Sequence, residues 1–332
     1  MTRRRGNQQS QNRYQAKVNR VLDFIGSHLD ADLSLTRLAS LGGFSRFHFH
    51  RIFQALTGET LNSHVRRVRL ERAMLSLRAS PRKRITDVAL EVGFAGTAEF
   101  SRAFKQQFGR TASSWDRRSP LENSKIGKAP GMLPFHTEDD LRRMQAASTT
   151  RVRVQRVGAF RYVYHRTYEP FGNMRLVENY HALIAWLAAR GTDVRDVVII
   201  GMSLDDPAVT PSERIRHDLG IAFPLDRTGI LSEILRGRDR AKLPLATKPT
   251  LADCEAAGLT IRDFAPQKIV SLHCQGDLGE MARVWQYLYR VWLPDHADEA
   301  ADAPAMEMFV RLPEEIGWTT FDLHACIPLK EE

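Results

Sequence analysis

The sequence predicts a multidomain protein: an all-α double helix-turn-helix domain followed by an α+β domain built by duplication. Three observations carry that prediction. Leu38-Ala39, Gly43-Phe44 and Phe49-His50-Arg51-Ile52-Phe53 recur as Val88-Ala89, Gly93-Phe94 and Phe100-Ser101-Arg102-Ala103-Phe104, offset by 50 residues up to the turn and by 51 beyond it. Apolar residues fall at helical spacing from Tyr14 to about Trp115 and alternate like a strand from Arg151. Beyond Arg151 the order strand, strand, helix, strand, strand occurs twice. The expected bounds are 14–118 for the first domain, 119–150 for a linker and 151–330 for the second domain.

Residues 1–13 are polar and basic and are expected to be disordered. Val18, Val21, Leu22, Ile25 and Leu29 then share one face of a helix. Each repeat reads as a short helix, a glycine-containing turn and a second helix. Gly43 and Gly93 stand where such a turn needs positive φ. In the second helix of the first repeat Phe49, Ile52, Phe53 and Leu56 face the core, which leaves Phe47, His50, Arg51 and Gln54 outward. In the other repeat Phe100, Ala103, Phe104 and Phe108 face inward. Ala98, Ser101, Arg102 and Lys105 face outward there, with Thr97 and Glu99 beside them. Residues 60–78 read as one long helix carrying Leu61, Val65, Val68, Met74 and Leu75. Its span of about 30 Å is close to the roughly 34 Å that separates successive major grooves on one side of B-DNA.

Ser119-Pro120, Gly127, Pro130-Gly131 and Pro134 break regular structure, and a short charged helix is expected at 138–147. Strands follow at 151–157 and 160–168, a helix at 173–189, and strands at 197–202 and 217–223. A segment rich in glycine, proline and charge (225–258) interrupts the order. It restarts with strands at 259–264 and 269–275, a helix at 278–292, and strands at 305–312 and 319–328.

Charge is uneven along the 332 residues. Residues 1–120 hold 22 Lys and Arg against 9 Asp and Glu, while the rest holds 26 against 30. A basic first third points to a polyanion partner for that part alone. Arg51 and Arg102, outward at matched positions, are the residue type that most often reads guanine. Three widely spaced cysteines, Cys254, Cys274 and Cys326, suit a reducing compartment, and the cytoplasm is the expected location. Met1 to Arg5 is basic but no apolar run follows, so neither a signal peptide nor a membrane partner is expected. Phosphate loops, dinucleotide fingerprints and zinc spacings are missing, so no cofactor and no metal is expected. His48 and His50 would point to different faces of a helix, and Asp205-Asp206, followed by Pro207, reads as loop-shaping.

Residues 14–118 resemble the AraC/XylS-type DNA-binding domain, above all in Val92-Gly-Phe-Ala-Gly-Thr-Ala-Glu-Phe-Ser-Arg-Ala-Phe-Lys-Gln-Gln-Phe-Gly109. The resemblance implies transcription control through two helices in adjacent major-groove segments of double-stranded DNA, with RNA polymerase as a protein partner. It places base contacts at Arg46, Phe47, His50 and Arg51 in one helix and at Thr97, Ala98, Glu99 and Arg102 in the other. Two features depart from the family pattern. Thr111-Ala112 replaces the usual Thr-Pro, with Trp115 as the following aromatic, and Ala98 and Glu99 narrow readout by the second helix.

The second half resembles the GyrI-like effector-binding domain. The resemblance rests on Ile200-Gly-Met-Ser-Leu-Asp-Asp-Pro-Ala-Val-Thr-Pro211 and Arg216-His-Asp218. It extends to Trp285, Leu288-Tyr289 and Trp292-Leu293-Pro294, to Met306-Glu307-Met308-Phe309, and to Ile327-Pro328-Leu329. It implies two pseudo-twofold-related repeats, a central antiparallel sheet and a groove that takes a small, cationic or amphipathic effector beside one acidic residue, here Glu307. Alternation puts Glu307 on a strand face with Ala305 and Phe309. A carboxylate there is costly without a partner. A cation would supply one, helped by aromatic walls from among Tyr164, Tyr168, Trp186, Trp285, Tyr289, Trp292 and Phe309. The plainer alternatives are a salt bridge from Glu307 to an arginine and core packing for each aromatic. Binding without catalysis is the expected activity; a hydrolase fused to a DNA-binding domain is the main alternative, and a ligand-free contact domain is a third.

Overall fold

The computed structural model describes residues 2–79, 83–115, 136–170, 174–205, 210–238, 248–296, 298–301 and 303–331. Helix α1 (Thr2–Ser27) starts well before Tyr14, which corrects the disorder expected over 1–13. The run has no proline, and the Arg and Gln that dominate it lose little rotamer freedom in a helix. Ser34 caps α2 (Leu35–Gly42) by accepting from the Arg37 amide, and Ser45 caps α3 (Arg46–Thr57) by accepting from that of His48. Helices α4 (Leu61–Ala79), α5 (Ile85–Glu91) and α6 (Thr97–Phe108) complete the repeat. The two helix-turn-helix motifs have separate cores, and α4 serves both. Leu61, Val65 and Val68 pack with Phe49 and Phe53, whereas Leu70, Met74 and Leu77 pack with Phe100, Phe104 and Phe108. The part of the expected linker at 119–135 lies outside the described residues, and α7 (Glu138–Ala147) forms where it was expected, closed at its start by a Thr137–Asp140 capping box.

Contacts divide the chain into two compact units. The first holds the chain up to residue 130 together with two short later segments, 205–215 and 255–260. Inside it lies a buried ionic cluster. Arg67, 5% exposed, donates to Glu59 at 2.7 Å and to both oxygens of Glu71 at 3.0 and 3.1 Å, with Asp205 3.7 Å away. His64 Nδ1 sits 2.8 Å from Glu59, which also accepts from Arg214. Burial pushes Glu59 up, but His64 and Arg67 outweigh it and hold the group down at about 2. Burial prevails at Glu71 and pushes it up to about 7 against the pull of Arg67.

The second unit is built on one antiparallel sheet. Its first repeat is β1 (Arg153–Val157), β2 (Phe160–Tyr168), α8 (Arg175–Ala189), β3 (Val198–Ser203) and β4 (Arg216–Pro224). Where an irregular insert was expected, the described residues form α9 (Gly229–Gly237) and α10 (Leu251–Ala257). The second repeat is β5 (Thr260–Phe264), β6 (Gln267–Gly276), α11 (Leu278–Tyr287) running on as a π turn to Trp292, β7 (Ala305–Phe309) and β8 (Phe321–Pro328). The strand order is β1-β6-β8-β7-β3-β4-β2-β5. Exchanging the repeats reverses that order onto itself, so a pseudo-twofold axis passes between β7 and β3. One sheet face is dry: Tyr162, Tyr164, Ile200, Met306 and Met308 pack beneath Ile230, Leu231 and Ile234 of α9. On the other face α8 lies over β2 and β4, while α11 lies over β6 and β8. The central pair β7 and β3 lies between the strands these two helices cover, and the groove that the resemblance implies has this pair as its floor.

Candidate functional site

Two places in the fold gather the residues singled out by sequence. The first is the outward surface of α3 and α6. Arg46, Phe47, His50 and Arg51 are all exposed at the start of α3, while Phe49 and Phe53 of the same helix are fully buried. Phe47 is 89% exposed, a large apolar ring with no core role. On α6, Ala98, Glu99 and Arg102 are exposed and Thr97 is half-buried. Arg51 and Arg102 thus stand at equivalent places on two helices held by one long helix. Its 19 residues span about 28 Å. Glu99 exerts its charge on Arg69 of α4, whose Nε donates to Leu29 O at 2.9 Å.

The second place is the groove floor. Register sets Glu307 opposite Gly201 on β3 and Ala325 on β8, and Gly201 opposite Leu219 on β4. Cross-strand partners share a face, so Glu307 belongs to the face of Leu219, His217 and His165. Glu307 is 8% exposed and His217 7%. His217 Nε2 donates to Glu307 Oε2 at 3.3 Å. That answers the question left open for Glu307: among the described residues its ion-pair partner is a histidine, not an arginine. Gly201 makes the meeting possible, because a Cβ there would stand 2.7 Å from Glu307 Oε2 and 3.0 Å from the His217 ring. Burial holds His165 below the usual imidazole range against a weaker pull from the Arg166 backbone, so this neighbour adds no positive charge to the floor near neutral pH.

The aromatic candidates divide by face. Trp285 and Tyr289 stack at 6.0 Å on the α11 side and, with Phe309, pack partly buried over β6 and β8 on the groove face; Trp292 is buried in that cluster. Trp186 on α8 is half-buried beneath Arg190, 5.2 Å from the ring centre. Tyr164 and Tyr168 are not on the groove face. Tyr164 pairs with Gly220, in the row of Ile200 and Met308, and Tyr168 four residues on keeps the same parity. The sheet separates both tyrosines from Glu307, and Tyr164 is a core residue. Period-two alternation assigns each strand a face but not which face of β2 matches that of β7; only the register settles it. Asp218, quoted beside His217, also turns to the dry face, where Arg166 grips it bidentately at 2.7 Å. Sequence reasoning missed His217 and Gly201 as floor residues; the Arg-His-Asp string named His217 without giving it a direction.

A family profile described as a helix-turn-helix domain matches residues 38–118, and one described as a GyrI-like small molecule binding domain matches residues 150–330. The right origin-binding protein of Escherichia coli is 37% identical over 113 residues, 34% of this chain and 38% of that protein. The chain therefore spans well under half of that relative's length. The regulatory protein SoxS of Escherichia coli is 32% identical over 105 residues, which is 32% of this chain and 97% of SoxS. Among solved structures, the DNA-binding domain of AdpA in complex with a target DNA has a TM-score of 0.29 at 23% identity, covering 31% of this chain and 92% of its own. The C-terminal domain of EcmrR has a TM-score of 0.36 at 7% identity, covering 56% and 100%.

Proposed function

The chain belongs to the AraC/XylS family of helix-turn-helix regulators that carry a GyrI-like domain, and on that premise we propose that it is a one-component transcription regulator. In this reading residues 14–118 bind double-stranded DNA, residues 151–330 bind a small cationic or amphipathic effector, and RNA polymerase is the protein partner. The observation that carries it is the exposure of Arg46, Phe47, His50 and Arg51 on α3 and of Ala98, Glu99 and Arg102 on α6, above fully packed inner faces. Arg51→Ala or Arg102→Ala is expected to cost about 1–3 kcal/mol of specific binding and little of the non-specific kind. Selection from random duplexes, followed by the specificity ratio for each variant, tests this. An unchanged ratio removes that arginine from the readers.

Glu307 is the groove group we read as the effector's charge partner. Glu307→Gln keeps the shape and is expected to cost about 1.5–3 kcal/mol of affinity for a cation, the scale of hydrogen bonds to charged groups. It should cost little for a neutral ligand of equal size, and calorimetry with a matched pair decides. Binding without catalysis is our reading: relatives of the reading head are named as regulatory and origin-binding proteins, which is consistent with it. Turnover of a groove ligand by the purified chain would establish the hydrolase reading instead. Buried free thiols at Cys254, Cys274 and Cys326 support a cytoplasmic location, and no described helix is long and apolar enough to cross a membrane.

A further inference from the structure

Glu307 is a poorly satisfied group. An ionised carboxylate has about four acceptor sites, yet among the described residues Glu307 has one hydrogen bond, to His217, and at 3.3 Å it is longer than a good one. Lys and Arg are absent from its ion-pair range among those residues. His217 is equally loosely held. Its other ring nitrogen, Nδ1, is buried and has no hydrogen-bond partner among the described residues, so within them the Glu307 contact is the imidazole's single polar anchor. Both groups close over Gly201, where a Cβ would stand 2.7 Å from Glu307 Oε2 and 3.0 Å from the His217 ring. A carboxylate in this setting gains more from a full positive charge held close by than from one long imidazole N–H, because the attraction between unit charges strengthens where water is excluded. An imidazole tied at one point costs little to move.

We infer that His217 is the built-in partner of Glu307, that a cationic effector displaces it, and that His217 thereby sets the groove's affinity and selectivity for cations. The inference rests on the reading of Glu307 given above and adds the residue against which the effector competes. Removing the imidazole N–H leaves Glu307 with no partner of its own, so the loaded state gains relative to the empty one. A neutral ligand makes no claim on the carboxylate and is indifferent to the change.

The test uses the full chain with phenyltrimethylammonium and its uncharged counterpart tert-butylbenzene, titrated by calorimetry. His217→Phe keeps the ring and removes the N–H; it is expected to tighten the cation by about 3- to 10-fold, the scale of one net hydrogen bond, while tert-butylbenzene stays within about twofold. His217→Gln restores an N–H donor and is expected to return the cation affinity toward that of the native chain. Should His217→Phe fail to fold, ring-nitrogen NMR of the native chain answers instead: His217 signals should move with the cation and stay put with the neutral compound. Unchanged or weakened cation binding in His217→Phe, or immobile His217 signals, overturns the inference. If Glu307→Gln lowers cation affinity and His217→Phe does not raise it, the inference alone fails. If Glu307→Gln leaves the native preference for the cation intact, or the native chain shows no such preference, the underlying reading fails with it.

Discussion

Arg67→Ala is expected to destabilise the first unit by about 3–5 kcal/mol, the loss typical of a buried ion cluster that keeps its carboxylates and loses their cation. Arg67 lies on the long helix between the two reading motifs and is the charge that Glu59 and Glu71 share. Both carboxylates are buried, and neither can reach water when the guanidinium goes. Glu59 keeps His64 and Arg214, but Glu71, already pushed up to about 7 with Arg67 present, is expected to be protonated throughout the neutral range. Denaturant unfolding followed through hydrogen exchange of the 61–79 amides measures the loss. Substitution to Met together with Glu59→Gln and Glu71→Gln should recover much of it, since the desolvation cost leaves with the charges. A loss below about 1 kcal/mol, the range of surface pairs, would mean the cluster is solvated in solution.

The pH dependence carries a sign of its own. Glu59 is depressed, so its contribution is complete above its unfolded value of about 4.3 and fades as pH falls toward about 2. Glu71 is raised, so folding favours its protonated form, and that preference weakens stability as pH rises through about 7. Without Arg67 the folded state holds its protons more tightly than the unfolded state, and its stability falls as pH rises. The cost of Arg67→Ala should therefore be greater at pH 8 than at pH 6.

Local rules made the reading motifs legible in the sequence. Phe49 with Phe53 and Phe100 with Phe104 are i, i+4 pairs, and burial follows that spacing in both helices. The duplication was legible for the same reason, since each strand and helix states its period over a few residues. What stayed hidden depends on pairing between distant segments. Tyr164 and Tyr168 are candidate walls by their aromatic rings alone, but the β2–β4–β3–β7 register turns them away from Glu307. Asp205 reads as loop-shaping in the sequence and Arg67 belongs to no motif there, yet they meet in one buried cluster across 138 positions of sequence. His217 was hidden by its neighbours: Arg216, His217 and Asp218 are one string in sequence, and alternation sends His217 to the face opposite the other two.

The second large effect separates two glycines that look identical in sequence. Gly43 and Gly93 occupy the same place in their motifs, with φ of 67° and 85°. Each pays for a side chain in strain, about 1–2 kcal/mol for a left-handed residue with a Cβ. Their surroundings differ. A Cβ at Gly43 meets nothing nearer than Lys17 Nζ at 3.6 Å, the end of a flexible side chain. A Cβ at Gly93 would stand 2.1 Å from the Leu29 carbonyl oxygen, backbone that follows α1, and 2.7 Å from Arg69 Nη2. That oxygen already accepts from Arg69 Nε, so it is fixed from both sides. Forced overlap in a packed place adds about 1–3 kcal/mol, which puts Gly93→Ala at about 2–5 kcal/mol and Gly43→Ala at about 1–2. The overlap also has a direction: relief requires the turn of the second motif to move away from the end of α1, and α6 moves with it. Gly93→Ala should then shorten the protected DNA to the segment read by α3, while Gly43→Ala keeps both segments. Thermal unfolding and footprints on selected duplexes read the two effects together. Equal destabilisation by the two substitutions would show that the Leu29 carbonyl yields, and that the second motif is not held by that contact.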